Sequence, residues 1–169
     1  MNFRSDWSGS LIDGALSSGS LDVFVIKVGG DGAYSWKRTF GGQDTDGACG
    51  SCIDGSGNLF ITGYFRYSVD FGTPFGGPSD SKDGSNLGNA FITRINADGS
   101  YGWTRTAGGP ADDTGWAVAI DLNGYGYAVG DFKTAVGWTC DFEIDWGGSP
   151  DLQTSYSSSF SDIFITKFK

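Results

Sequence analysis

The sequence has no histidine among its 169 residues. That removes the usual general base near neutral pH, the Ser-His-Asp arrangement and the commonest transition-metal ligand. Most familiar hydrolase and zinc chemistry is excluded with it. Basic residues are scarce as well: 11 Lys and Arg stand against 20 Asp and Glu, a formal net charge of −9. Nucleic acids and anionic membranes present negative surfaces that recruit Lys and Arg, so neither is an expected partner. No apolar run approaches the roughly 20 residues of a membrane helix, and membrane insertion is not expected. Helix-length apolar periodicity is lacking too. The 29 glycines and 15% aromatics beside only 18% charged residues instead favour an all-β chain of short strands and tight turns.

Cysteine is limited to three residues, which cannot all pair within one chain. Cys49 and Cys52 fall in an inferred strand at a spacing of three, which puts them on opposite faces, so no bridge between them is expected. The Cys-Gly-Ser-Cys spacing resembles a redox or metal motif. Its counterpart later in the chain, residues 116–119, reads Trp-Ala-Val-Ala, so buried, inert packing thiols are expected here. Cys140, alone in a variable loop, is expected to be free. Met1-Asn2-Phe3 lacks the basic start and apolar stretch of a signal peptide. Either the chain is cut from something longer or secretion is not encoded in it.

What the sequence does contain is a repeat. Residues 22–65 return as residues 89–132, aligned without a gap at an offset of 67. Along it Asp31 meets Asp98, Trp36 meets Trp103, Arg38 meets Arg105, Asp46 meets Asp113, Asp54 meets Asp121 and Gly63 meets Gly130. A third, partial copy closes the sequence as Asp-Ile-Phe-Ile-Thr-Lys-Phe, residues 162–168. Self-similarity at a fixed period is the signature of repeat architectures.

In the first full copy, residues 48–54 and 58–65 read as a hairpin, residues 67–88 as a variable segment, and the strands beginning at Phe91 and Tyr101 as a second hairpin joined through Ala-Asp-Gly. Four strands in two hairpins have the shape of one β-propeller blade, with the strand at Ala48 innermost and that at Tyr101 outermost. The expected architecture is therefore an all-β partial β-propeller of four-stranded antiparallel blades. Residues 48–107 make one complete blade, flanked by partial blades in 1–40 and 116–169. Unpaired edges and an uncovered blade face lead to the expectation of self-association or of neighbouring blades from a longer chain. An intermolecular ring, a filament and a fragment of a longer propeller all satisfy this pattern.

The recurring motifs, Asp-x-Phe-[Val/Ile]-x-Lys at residues 22–27 and 162–167, then Asp-Gly-x-Tyr-x-Trp, Gly-Gly-x(3)-Asp, Ile-Asp-x-x-Gly and Gly-x-Phe, resemble the bacterial SBBP-type β-propeller repeat, named after seven-bladed propellers. Asp70-Phe71-Gly72, with Asp6-Trp7 and Asp145-Trp146, is similar to a further motif of that family. The resemblance covers nearly the whole chain. It implies an extracellular or cell-surface location and a structural, scaffolding or adhesive role. It brings no catalytic residues, and an enzyme is not expected.

Few residues outside the framework invite chemistry. If residues 140–146 are extended, Asp141, Glu143 and Asp145 share one face and Phe142, Ile144 and Trp146 the other. Three carboxylates could hold calcium, which takes oxygen ligands. The alternative is an edge strand whose charges repel strand addition while its aromatic face covers the blade. Asp46 and Asp113 follow Gly-Gly pairs, and are expected either to cap backbone N–H groups in those turns or to pair with Lys27, Arg94 or Lys167 between blades. Carboxylate pairs also admit a glycan-active enzyme, the least favoured reading. Among the tryptophans outside the repeated position, Trp116 is expected to pack and Trp146 to face the core. Trp138 is the candidate ligand contact, since loop aromatics stack on sugar rings, and a carbohydrate-binding module, calcium-assisted or not, is the alternative function.

Overall fold

The computed structural model describes residues 16–143 and 149–169. A first hairpin joins Val23–Val28 (β1) to Tyr34–Phe40 (β2). Gly47–Ile53 (β3) and Leu59–Phe65 (β4) form the second, followed by a small hairpin of Ser68–Asp70 (β5) and Ser81–Asp83 (β6), then Asn89–Ile95 (β7) and Tyr101–Ala107 (β8). The second copy supplies Thr114–Ile120 (β9), Gly126–Phe132 (β10), another small hairpin of Cys140–Asp141 (β11) and Leu152–Gln153 (β12), and finally Asp162–Phe168 (β13). The described strands pair antiparallel, so the chain is all-β. A four-stranded sheet has the order β3-β4-β7-β8, as the repeat predicts, and a three-stranded sheet the order β9-β10-β13.

The short motifs of the repeat are its turns. Asp54 accepts hydrogen bonds from the Ser56 and Asn58 N–H groups at 2.9 Å, with Gly57 at φ +83°. Asp121 does the same for Asn123 and Tyr125, with Gly124 at φ +79°. An Asp side chain holds the bend and glycine supplies the left-handed backbone, which explains Ile-Asp-x-x-Gly without any ligand. Gly63 and Gly130 mark close approaches: a Cβ there would stand 1.9 Å from the Gly47 carbonyl oxygen and 2.1 Å from that of Thr114.

Side chains alternate across a strand, so each sheet has two faces. On the four-stranded sheet one face carries Ile61, Phe91 and Ile95, and hairpin β1–β2 covers it with Val23 and Phe40, flanked by Val25 and Trp36. The opposite face carries Phe60, Ala90, Ile92 and Trp103. The three-stranded sheet covers that one with Val118, Ala128, Phe164 and Phe168. Strands β4 and β7 are thus covered on both sides.

The two junctions are the same junction. Val23, Val25 and Trp36 occupy the positions of Ala90, Ile92 and Trp103, and the residues that receive them, Ile61, Phe91 and Ile95, occupy those of Ala128, Phe164 and Phe168. The same-face pairs of Trp36 with Arg38 and Trp103 with Arg105 also recur, with guanidinium carbons 5.5 and 5.4 Å from the ring centroids.

Two packing expectations are corrected. Cys49 is exposed and Trp116, expected to pack, is 56% exposed, whereas Cys52 is half-buried and does pack, against the cluster of Phe60 and Val118. Cys49 and Trp116 are the extra residues of equivalent β-bulges, between Ala48 and Gly50 and between Gly115 and Ala117. A bulge leaves one residue outside the ladder and turns its side chain away from the packed face. All three cysteines are free, and Cys140 is fully buried. Burial raises all three thiols above their ordinary range, which keeps them protonated and poorly nucleophilic.

Candidate functional site

Antiparallel order places the near-constant Asp-Gly turns at one end of the stack and the copy-specific segments, residues 66–88 and the described parts of 133–161, at the other. The Gly-Gly turns share that second end. Two buried carboxylates organise it. Asp46 accepts from the Gly42 N–H at 2.6 Å and the Arg66 N–H at 3.0 Å, while its own N–H donates to the Leu21 carbonyl at 2.8 Å. Asp113 repeats the set with Gly109 at 2.8 Å, Lys133 at 3.1 Å and the Gly88 carbonyl at 3.1 Å. Each aspartate therefore ties together the turn after one sheet's outermost strand, the exit from β4 or β10, and the lead into β1 or β7.

The electrostatics of these groups follow from their place. Burial pushes the Asp113 carboxyl up to about 7, helped by the charges of Asp112 and Asp131, while its two N–H donors pull the other way. Burial raises Asp46 in the same direction. Of the two roles expected for these residues, capping of backbone N–H groups is the one found. The pairing with Lys27, Arg94 or Lys167 is not: Lys27 Nζ donates to the Ala97 carbonyl at 2.7 Å, and Lys167 Nζ lies 4.0 Å from the centroid of the Tyr125 ring. Asp44, which lacks a counterpart, accepts from the Thr45 N–H at 2.7 Å and lies 3.7 Å from Arg66 in a half-exposed ion pair.

The copy-specific segments are anchored by small hairpins that sequence comparison missed. Val69, Asp70 and Phe71 in the first correspond to Cys140, Asp141 and Phe142 in the second. Asp70 accepts from the N–H groups of Gly72 and Asp80, and Asp141 from those of Glu143 and Asp151, two and ten residues further on in both cases. Although desolvation opposes it, hydrogen bonding from Thr73, Gly72 and Asp80 holds the Asp70 carboxyl down at about 2. Phe71 is fully buried against Phe40, Phe65 and Phe91, and Phe142 packs on Phe132 and Phe164.

This geometry corrects the reading of residues 140–146. The strand is only Cys140–Asp141, and the chain turns at once through the Asp141–Glu143 hydrogen bond, so Asp141 and Glu143 are not same-face neighbours in an extended segment. Asp145, Ile144 and Trp146 lie outside the described residues. Among the described residues no three of His, Cys, Asp and Glu are grouped to hold a metal ion. The motif that matches Asp70-Phe71 is Asp141-Phe142 and not Asp145-Trp146. Phe142 does cover the sheet, as the edge-strand alternative requires.

Trp138 sits in a four-residue insertion, residues 135–138, closed by its own N–H donating to the Ala135 carbonyl at 3.0 Å with Gly137 at φ +80°. The indole is 58% exposed. Trp116, the other exposed indole among the described residues, donates from Nε1 to Asp131 Oδ1 on the neighbouring strand. The signal that could have found it was the glycine beside it, a common mark of a bulge. Among the described residues, the arrangement offers aromatic and carboxylate surface at the loop end.

No protein-family model matches the chain. The regulatory protein FlaEY of Caulobacter vibrioides is 26% identical over 173 residues, a match that covers 91% of this chain. The chain spans only 18% of the length of that relative.

Proposed function

We propose that the chain is an SBBP-like β-propeller-repeat module, acting outside the cell as a structural, scaffolding or adhesive element. Residues 48–107 form its complete blade, with partial blades on either side. The observation that carries this reading is the repeated junction, which supports a stack of like units with copy-specific segments gathered at one end. Rigid sheets would then present variable surface, and function would reside in multivalent contact instead of turnover. The regulatory role in FlaEY's name belongs to a much longer protein, to which this module would contribute a part.

A second reading, a carbohydrate-binding module, is favoured by the exposed Trp138. The two readings separate in one titration. The scaffold reading predicts no change in tryptophan emission on adding mono- and oligosaccharides, no change in melting temperature with chelator, and an unaltered melting temperature in Trp138→Ala. A saturable sugar-dependent change that vanishes in Trp138→Ala would replace it with the glycan reading.

A further inference from the structure

We propose that the outer edge of β13 is a strand-addition site, which takes an extended partner segment of the pattern Tyr-x-Trp-x-Arg-Thr, paired antiparallel. This rests on the blade reading above, and deepens it by naming the edge and the chemistry of the partner.

Three strands share one sequence pattern: Val23–Val28, Asn89–Ile95 and Asp162–Phe168. The first two hold a neighbour on the same edge and in the same register. Lys27 faces Trp36 and Arg94 faces Trp103, Val25 faces Arg38 and Ile92 faces Arg105, and a bulge brings Tyr34 opposite Val28 and Tyr101 opposite Ile95. Both neighbours read Tyr-x-Trp-x-Arg-Thr. Strand β13 uses one edge for β10, and among the described residues no strand pairs with the other, the edge that corresponds to the β2 and β8 side. A strand edge presents a row of backbone N–H and C=O groups to a further strand, and side chains then decide which segment fits.

The side chains beside this edge are set for the same neighbour. In the complete blade Thr93 is fully buried: its Oγ1 donates to the Trp103 carbonyl at 3.3 Å and accepts from Thr104 Oγ1 at 2.9 Å. Thr166 stands at that position in β13 and is half-exposed. The Tyr101 hydroxyl donates to the Asp80 carboxylate, which Lys82 also approaches at 3.0 Å. Asp151 corresponds to Asp80, since each bonds through its backbone to the aspartate ten residues before it and to the phenylalanine that follows that aspartate. The Asp151 side chain is exposed, and Gln153, at the position of Lys82, donates to it at 2.6 Å. A groove of about 320 Å3 spans from Asp151, Gln153 and Phe142 to Ile165 and Thr166. A tyrosine on the added strand would reach Asp151 as Tyr101 reaches Asp80. The threonine favours a segment of the β8 type over the β2 type, because Thr104 faces Thr93 where Lys37 faces Ile26.

The test titrates the chain with a synthetic peptide of residues 98–107, Asp-Gly-Ser-Tyr-Gly-Trp-Thr-Arg-Thr-Ala, dye-labelled at its N-terminus and followed by fluorescence anisotropy. One peptide per chain should bind, with saturation in the micromolar range. Amide exchange of the complex should slow in β13 and stay unchanged in β1 and β7. Tyr101→Phe in the peptide should weaken binding to the unaltered chain by roughly tenfold. Asp151→Ala in the chain should weaken binding of the unaltered peptide by the same factor, and the two changes together should cost no more than either alone. Thr166→Val, a second chain variant, should weaken binding by roughly fivefold. Circular dichroism melts identify the chain variants that fold, and the peptide variant tests the tyrosine contact without them. No binding, binding without slower exchange in β13, or losses that multiply would each overturn the proposal. Protection of β13 that grows with protein concentration in the absence of peptide would overturn it in favour of a second copy as the occupant. Protected β7 and β8 amides in a chain that binds no peptide would leave the blade reading standing; unprotected ones would overturn that reading as well.

Discussion

Replacing Asp113 with alanine is expected to lower the unfolding free energy by about 3 kcal/mol, read as a shift in urea midpoint. The carboxylate is 1% exposed and is the acceptor for the Gly109 and Lys133 N–H groups. Alanine leaves both donors without that partner, at roughly 1–3 kcal/mol for each that stays dry. Asp46→Ala should behave alike, since Asp46 makes the same bonds. A change within about 0.5 kcal/mol would mean that these residues are ordinary surface acids.

The same residue sets a pH dependence. Its folded value, about 7, lies above the ordinary 3.8. The stability it contributes is therefore complete below the ordinary value and is lost as pH rises through about 7, because across that window the unfolded chain has released a proton the folded chain still holds. The loss is at most about 1.4 kcal/mol per pH unit. Asp70, held at about 2, acts with the opposite sign and only at lower pH. The unaltered chain should thus melt lower as pH rises from about 5 to about 8, and Asp113→Asn should flatten that slope.

Phe91→Ala is expected to cost about 4 kcal/mol, the range for a buried phenylalanine. Phe91 is 1% exposed, and its ring centroid lies 5.8 Å from that of Phe40, 6.5 Å from Phe65 and 5.2 Å from Phe71. Those partners come from β2, β4 and the segment after β5, so one truncation opens the junction and releases the small hairpin with it. Its counterpart in β1, Phe24, is half exposed, and Phe24→Ala should cost well under half as much. Equal losses in denaturant unfolding would contradict the inequivalence of the two positions.

These contrasts show which parts of the molecule could be read from the chain. Strand pairing and order were legible because the gapless repeat fixes register, and because Asp54 with Gly57 and Asp121 with Gly124 carry their turn chemistry in the residues themselves. The small hairpins were not legible: the insertion at residues 135–138 shifts Cys140-Asp141-Phe142 out of step with Val69-Asp70-Phe71, and a three-residue match is easily misassigned across a gap. Cys49 and Trp116 were misread because strict alternation assumes an unbroken ladder, and a bulge adds one residue. The capping role of Asp46 and Asp113 was legible as one of two choices. The choice depends on the fold, since the N–H groups these carboxylates accept from lie 4 and 20 residues away in sequence. At the loop end, Trp138 and Asp141 were legible as residue types, but the turns that hold them were not.

The central claim is that like sheets stack through one repeated junction. Amide hydrogen exchange on the unaltered chain at low micromolar concentration tests it most directly. The account predicts that β4 and β7, covered on both sides, exchange most slowly and near the global unfolding limit, while β1 and β13 exchange faster through local opening. Protection of β1 or β13 equal to that of β7 would contradict it.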